Sequence, residues 1–172
     1  MRRRLRVEAD AAFSAFVAAN RSGLVHMAIA LTGDGSSAED LVQIALSRTY
    51  SRWPQLMDQQ PLAYARRIIV NANHDRWRRR SIREQTTMGI PDGPGADALA
   101  VVTDRAAAVA ALSELTDRER RVVVLRFLVD LTEAETAQEL GIALGTVKST
   151  THRALTKLRA SGHLHEEAVE TP

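Results

Sequence analysis

Between residues 81 and 103 the chain loses the patterning that packed structure needs. The run "TTMGIPDGPGADALA" carries three glycines and two prolines and has no hydrophobic period. Such a run punctuates a chain and tethers what lies on either side of it. In a chain of 172 residues it leaves two pieces, each long enough for a small core only. Alternation at period two persists nowhere, so no strand is expected. Alanine and leucine dominate while aromatics make up only 4%, a composition that favours helix. The expected fold is all-α: two small helical bundles at 1–81 and 104–172, joined by a flexible linker at 82–103.

In the first piece, Phe13, Phe16 and Val17, then Leu24, Met27, Ala28 and Leu31, recur at helical spacing and predict two short helices over 8–32. "TGDGSS" breaks the pattern. Ser36 and Glu39 have the spacing of a capping box, which predicts a helix from Ser37 to Trp53 ended by Pro54. "PQLMDQQ" reads as a short loop, and Pro61 sits where a first helical turn accepts proline. The helix that follows, Leu62 to Arg80, buries Ala65, Ile68, Ile69 and Ala72. Arg67, Asn71, His74 and Arg78 recur on it at four, three and four residues and form one outward stripe.

The second piece holds two more capping boxes, Thr116 with Glu119 and Thr132 with Glu135. The Thr132 helix ends at Gly141 and another opens at Gly145, which is a helix-turn-helix pattern. On the second of these helices Val147, Thr151, Ala154, Leu155 and Leu158 share an inner face. Thr146, Ser149, His152, Arg153 and Thr156 lie opposite, with Lys148 on the flank and no acid among them. Such a helix fits the DNA major groove, where lysine and arginine suit guanine acceptors and serine and threonine are permissive partners. An ordinary helical hairpin with a polar outer face has the same pattern.

Charge divides unevenly. Residues 1–80 hold 13 Lys/Arg against 7 Asp/Glu, a net +6, while residues 81–172 hold 10 against 14, a net −4. "HDRWRRRSIR" is the densest basic stretch beyond the N-terminus. A polyanion-facing surface and a solvated helix end both fit it. The absence of cysteine excludes disulfides, thiol catalysis and a cysteine-ligated zinc. No run approaches the ~18 apolar residues of a membrane span. "MRRRLRVEAD" is not followed by the apolar stretch of a signal peptide. A soluble, cytoplasmic protein is expected. The tail "GHLHEEAVETP" reads as frayed, and His163 and His165 are too few for a metal site. Glu39–Asp40 is the only adjacent carboxylate pair in the first half, and there is no glycine-rich phosphate loop. No enzyme, metal or cofactor is expected.

"LTEAETAQELGIALGTVKSTTHRALTKLR" resembles the C-terminal DNA-binding region of bacterial sigma factors. A similar framework occurs in response-regulator output domains, which leaves open a helix-turn-helix regulator acting without core polymerase. The first half separates the two. "AEDLVQIALSRTYSRW" resembles the sigma-factor helix that docks on core polymerase, and "PLAYARRIIVNANHDRWRRR" resembles the helix after it, with Ile68, Asn71, Asp75 and Arg78 in its signature. A receiver domain would instead alternate strands and helices. Length and tether are similar to the extracytoplasmic-function (ECF) group, and the resemblance covers about residues 8–161.

The resemblance implies a protein that directs core RNA polymerase to specific promoters. Glu39, Asp40, Gln43 and Arg48 would contact the polymerase. Arg67, Asn71, His74, Arg78 and Arg79 would hold the melted −10 element, with the loop at 54–60 as the flipped-base pocket. Thr146, Lys148, Ser149, His152 and Arg153 would read the −35 element. Tyr64 and Trp77 are aromatics on which a base could stack, although a lone tryptophan at a helix end also reads as packing. The linker, mildly acidic through Asp92, Asp97 and Asp104 against Arg83 and Arg105, would thread towards the polymerase interior. An anti-sigma factor is a further implied partner. Two departures stand out. Ala143 cannot cap the helix after it, and Thr150 stands where arginine is common, removing a phosphate or base contact.

Overall fold

A computed structural model describes residues 2–86 and 103–161, and among these every regular element is helical. The chain divides into two units, Met1–Asp92 and Gly93–Pro172.

The first unit packs α1 (Arg2–Thr32), α2 (Gly35–Ser51), the single turn α3 (Trp53–Leu56) and α4 (Pro61–Thr86). Five consecutive residues near the end of α1, Met27 to Leu31, are buried, so that end of the helix is covered all round, by α2 and α4. Ala38 and Ala45 of α2 and Ala65 of α4 have no exposed surface. Small side chains at these contacts let the helices approach closely. Leu24, Leu41, Val42, Ile69 and Val70 fill the space between them. Near the middle of α1, Phe13 meets Trp53 edge-on and Phe16 meets it at a tilt, with ring centroids 5.1 and 5.2 Å away. Tyr50 donates from its hydroxyl to Asp10 at 2.7 Å.

Four expectations need correcting here. Residues 8–32 form one helix, because Gly23 keeps helical geometry and its cost of about 1 kcal/mol is small beside the burial of Leu24 and Met27. The start of α2 is capped by Asp34, whose carboxylate accepts from the Ser36 and Ser37 amides at 3.1 and 2.9 Å. Glu39 instead reaches Arg21 at 2.6 Å. Pro54 lies inside the first turn of α3, where its missing N–H costs nothing. α4 runs on to Thr86, because "SIREQT" holds neither glycine nor proline. The rest of the expected linker and the tail lie outside the described residues.

The second unit is built from α5 (Thr103–Ser113), α6 (Asp117–Val123), α7 (Glu133–Leu140) and α8 (Leu144–Ala160). α6 continues through one π turn, Val124–Leu128, closed by the Val129 amide on the Val124 carbonyl at 3.0 Å. Asp130 then takes a left-handed φ of 58°, a conformation that aspartate tolerates better than most residues. Both capping boxes expected here are present. Arg120 ties α5 to α6 by donating to the carbonyls of Leu112 and Ser113 at the end of α5 and of Leu115 just beyond it.

The Asp34 cap makes a testable statement. The Ser37 hydroxyl is the main cause holding the Asp34 carboxyl below its ordinary value of 3.8. The Ser36 and Ser37 amides and the Arg76 charge act the same way, against partial burial. A carboxyl with a lowered folded pKa contributes stability that is complete above its unfolded pKa and is lost as pH falls through the folded value. Asp34→Ala should therefore cost about 1 kcal/mol near neutral pH. Melting followed by circular dichroism should show that deficit shrinking once the pH drops below 3.8. A deficit that persists undiminished in acid would contradict the cap.

Candidate nucleic-acid interface

The geometry of α8 follows from its attachment. Val147, Thr150, Ala154 and Leu158 are buried in one stripe. Val147 packs with Val122 and Ala137, and Ala154 and Leu158 pack with Ala111, Leu115 and Val123. The helix is thus fixed on α7 at one end and on α5 and α6 at the other. The turn that presents it is set by Gly141 at φ 63°. There the Ile142 amide bonds back to the Ala137 carbonyl at 3.0 Å and the Gly141 amide to Gln138 at 3.3 Å. Ile142 packs on the cluster that contains Ala137. This is a Schellman ending with its hydrophobic contact, and glycine takes the left-handed position without steric cost.

Opposite the stripe, Lys148, Ser149, His152, Arg153 and Thr156 are exposed and Thr146 is half-buried. α8 contains no Asp or Glu. Its N-terminus has no side-chain cap, as Ala143 implies. Lys148 lies 3.8 Å from Glu133, an exposed pair that solvent screens. Thr150 corrects an expectation. It is fully buried, and Arg153 Nη2 reaches its Oγ1 at 3.5 Å. The residue at 150 therefore faces the protein interior rather than the outer surface.

The C-terminal part of α8 is held by Lys157, which donates to Glu119 at 2.8 Å. Burial alone would raise the Glu119 pKa. Donation from Lys157 and from the Thr116 amide and hydroxyl outweighs it and keeps the carboxyl below the ordinary glutamate range. One carboxylate thus closes the capping box of α6 and anchors α8.

On α4, Ala65, Ile68, Ile69, Val70 and Asn73 are buried, while Arg67, Asn71, Arg78 and Arg79 are exposed and Ala72 and His74 are half-buried. Arg78 also lies 3.8 Å from Asp75. Trp77 is 51% exposed, which removes the reading of it as packing. Tyr64 is half-buried beneath Arg52, whose guanidinium carbon lies 5.8 Å from the ring centroid. On α2, Glu39, Asp40, Gln43 and Arg48 are all exposed. Glu39 and Gln43 rim a groove of about 590 Å³ floored by Phe13, Val17, Val42 and Leu46. The contacts Arg21–Glu39 and Arg76–Ser37 were not legible in sequence, because the partners stand 18 and 39 residues apart and only the fold brings them together.

Two family descriptions match the chain in order. Sigma-70 region 2 covers residues 16–82 and sigma-70 region 4 covers residues 111–160. The RNA polymerase sigma-E factor of Streptomyces coelicolor is 40% identical over 148 residues, 86% of this chain and 84% of its own. The ECF RNA polymerase sigma factor SigL of Mycobacterium tuberculosis is 34% identical over 138 residues, 77% of this chain and 78% of its own. The chain belongs to the ECF group of RNA polymerase sigma factors.

The fold agrees. Sigma factor RpoE from Bartonella quintana, solved in complex with the anti-sigma factor NepR, aligns at a TM-score of 0.68 with 23% identity, over 86% of this chain and 94% of that one. In this sigma factor α2 and α4 fall in region 2, and the helix-turn-helix of α7 and α8 falls in region 4. Among the described residues no helix is long and apolar enough to cross a membrane.

The two lysines of α8 should behave differently. Lys157→Met leaves the buried Glu119 carboxylate short of a donor and should destabilise the protein by roughly 1 kcal/mol. Lys148→Met, which removes only an exposed pair, should change stability by less than about 0.5 kcal/mol. Urea titration of both variants checks this, and equal effects would contradict the distinction.

Proposed function

We propose that this sigma factor divides promoter recognition among three helices. The piece at 1–81 docks on core RNA polymerase through α2 and holds the −10 element through α4, and the piece at 104–172 reads the −35 element through α8. Residues 82–103 connect them. Glu39, Asp40, Gln43 and Arg48 meet the polymerase. Arg67, Asn71, His74, Arg78 and Arg79 meet the −10 strand, with arginines on phosphate and the Asn71 amide on a base edge. Thr146, Lys148, Ser149, His152 and Arg153 enter the major groove at −35. The protein works in the cytoplasm, supplies no catalytic group and needs no cofactor. An anti-sigma factor of the kind held in the solved complex belongs among its partners.

The observation that carries the reading is the face of α8. It is exposed, free of acids and fixed by a buried stripe on the far side. Such a face offers donors to guanine and adenine acceptors and positive charge to phosphate. A regulator acting without polymerase would have no use for region 2, which accounts for the first half of this chain.

Alanine variants of Lys148, Ser149, His152 and Arg153, assembled into holoenzyme and measured on promoters varied only at −35, test the assignment. If Arg153 contacts a base, Arg153→Ala should cost ~1–3 kcal/mol and relax preference at one position. If it contacts phosphate alone, affinity should fall evenly for all sequences and the salt slope should flatten by about one unit. Unchanged affinity and preference in all four variants would sink the proposal.

A further inference from the structure

Arg76 stands apart from the arginines around it. Its Nη2 donates to Ser37 Oγ at 2.9 Å. Ser37 is the residue whose amide is capped by Asp34 at the start of α2. A polar chain therefore runs from the cap of α2, through Ser37, to the C-terminal half of α4. At about 100° per residue, Arg67 and Arg78 lie within about 40° of Asn71, while Arg76 lies about 140° away. It faces α2, not the outward stripe.

Its place along α4 gives this contact leverage. Asn73 is the last buried residue on α4 among those described, and Trp77, Arg78 and Arg79 beyond it are exposed. Six residues separate Asn73 from Arg79, about 9 Å of helix at 1.5 Å per residue. A small tilt at the edge of the bundle would swing Arg78 and Arg79 by an appreciable fraction of a phosphate spacing. Arginine suits the restraint, because its planar fork can hold the Ser37 hydroxyl while its charge stays near the Asp34 carboxylate.

We propose that Arg76 is a positioning residue whose bond to Ser37 holds the outgoing end of α4 in register with α2, so that docking and −10 recognition share one rigid frame. The proposal rests on the reading that the outward stripe of α4 meets DNA.

Promoter binding by reconstituted holoenzyme, measured across a salt series for Arg76→Ala, Ser37→Ala, the double variant and Arg67→Ala, tests it. The single variants at 76 and 37 should each weaken promoter binding roughly two- to fivefold, the span of an exposed charged contact. The double variant should bind promoter no worse than Ser37→Ala alone, because the Arg76 bond is already broken there. Core affinity should be unchanged, and so should the salt slope, since Arg76 touches no phosphate. Melting should hold for Arg76→Ala and fall modestly for Ser37→Ala, whose hydroxyl also supports the Asp34 cap. Arg67→Ala should flatten that slope by about one unit. Additive effects at 37 and 76, or a flattened slope for Arg76→Ala with a silent Ser37→Ala, would make Arg76 a phosphate ligand and overturn the proposal. If Arg67→Ala is silent as well, the DNA-binding reading of α4 fails, and the positioning role fails with it.

Discussion

The buried stripe Val147, Thr150, Ala154 and Leu158 is the constraint on which the second unit depends. It touches three other helices, so α8 can rotate only by exposing apolar surface and opening the clusters around Val122 and Val123. A fixed inner face fixes the outer one. Lys148, Ser149, His152 and Arg153 are held in register by packing on the side they do not occupy. Gly141 sets the angle at which the helix leaves the turn, and Glu119 with Lys157 secures its far end. The recognition proposed for this helix would therefore depend on core packing as much as on surface chemistry.

The first half follows the same logic with other means. Alanines at the contacts of α2 and α4 bring those helices close, and the apolar side chains of α1 fill the space they leave. What remains outside differs by helix. α2 presents carboxylates and an amide beside an apolar groove, and α4 presents arginines and Asn71. A protein surface and a nucleic-acid strand call for different faces of this kind. Family membership places both helices in region 2 of a sigma factor, and the proposed function assigns the two faces to polymerase and to the −10 strand.

Much of this was legible in the sequence because the signals were local. The boxes at Thr116–Glu119 and Thr132–Glu135, the glycine ending at 141 and the helical period of α4 and α8 each depend on residues within a turn or two of each other. The errors arose where a distant partner decided the outcome. Ser36 and Glu39 have capping-box spacing, but Asp34 takes the Ser36 amide that Glu39 would have capped, and Arg21 draws Glu39 away. Gly23 reads as a break only if the burial of the residues after it is unknown. The period of α8 leaves Thr150 off the outer face, and only the family resemblance ties position 150 to a phosphate or base contact, whereas its side chain is fully buried. Trp77 is exposed because it lies beyond Asn73, the last buried residue of α4 among those described, a limit that sequence spacing does not mark.

Every DNA contact proposed for this chain acts within its complex with polymerase, so docking through α2 comes first. Run-off transcription with purified core polymerase, with and without the Asp40→Lys, Gln43→Ala double variant, measures this directly. The wild-type chain should produce specific starts that core polymerase alone does not. The double variant should lose them and lose core binding while keeping its helical circular dichroism, because both side chains are exposed. Specific starts undiminished in a folded double variant, or none from the wild type on a broad promoter library, would contradict it.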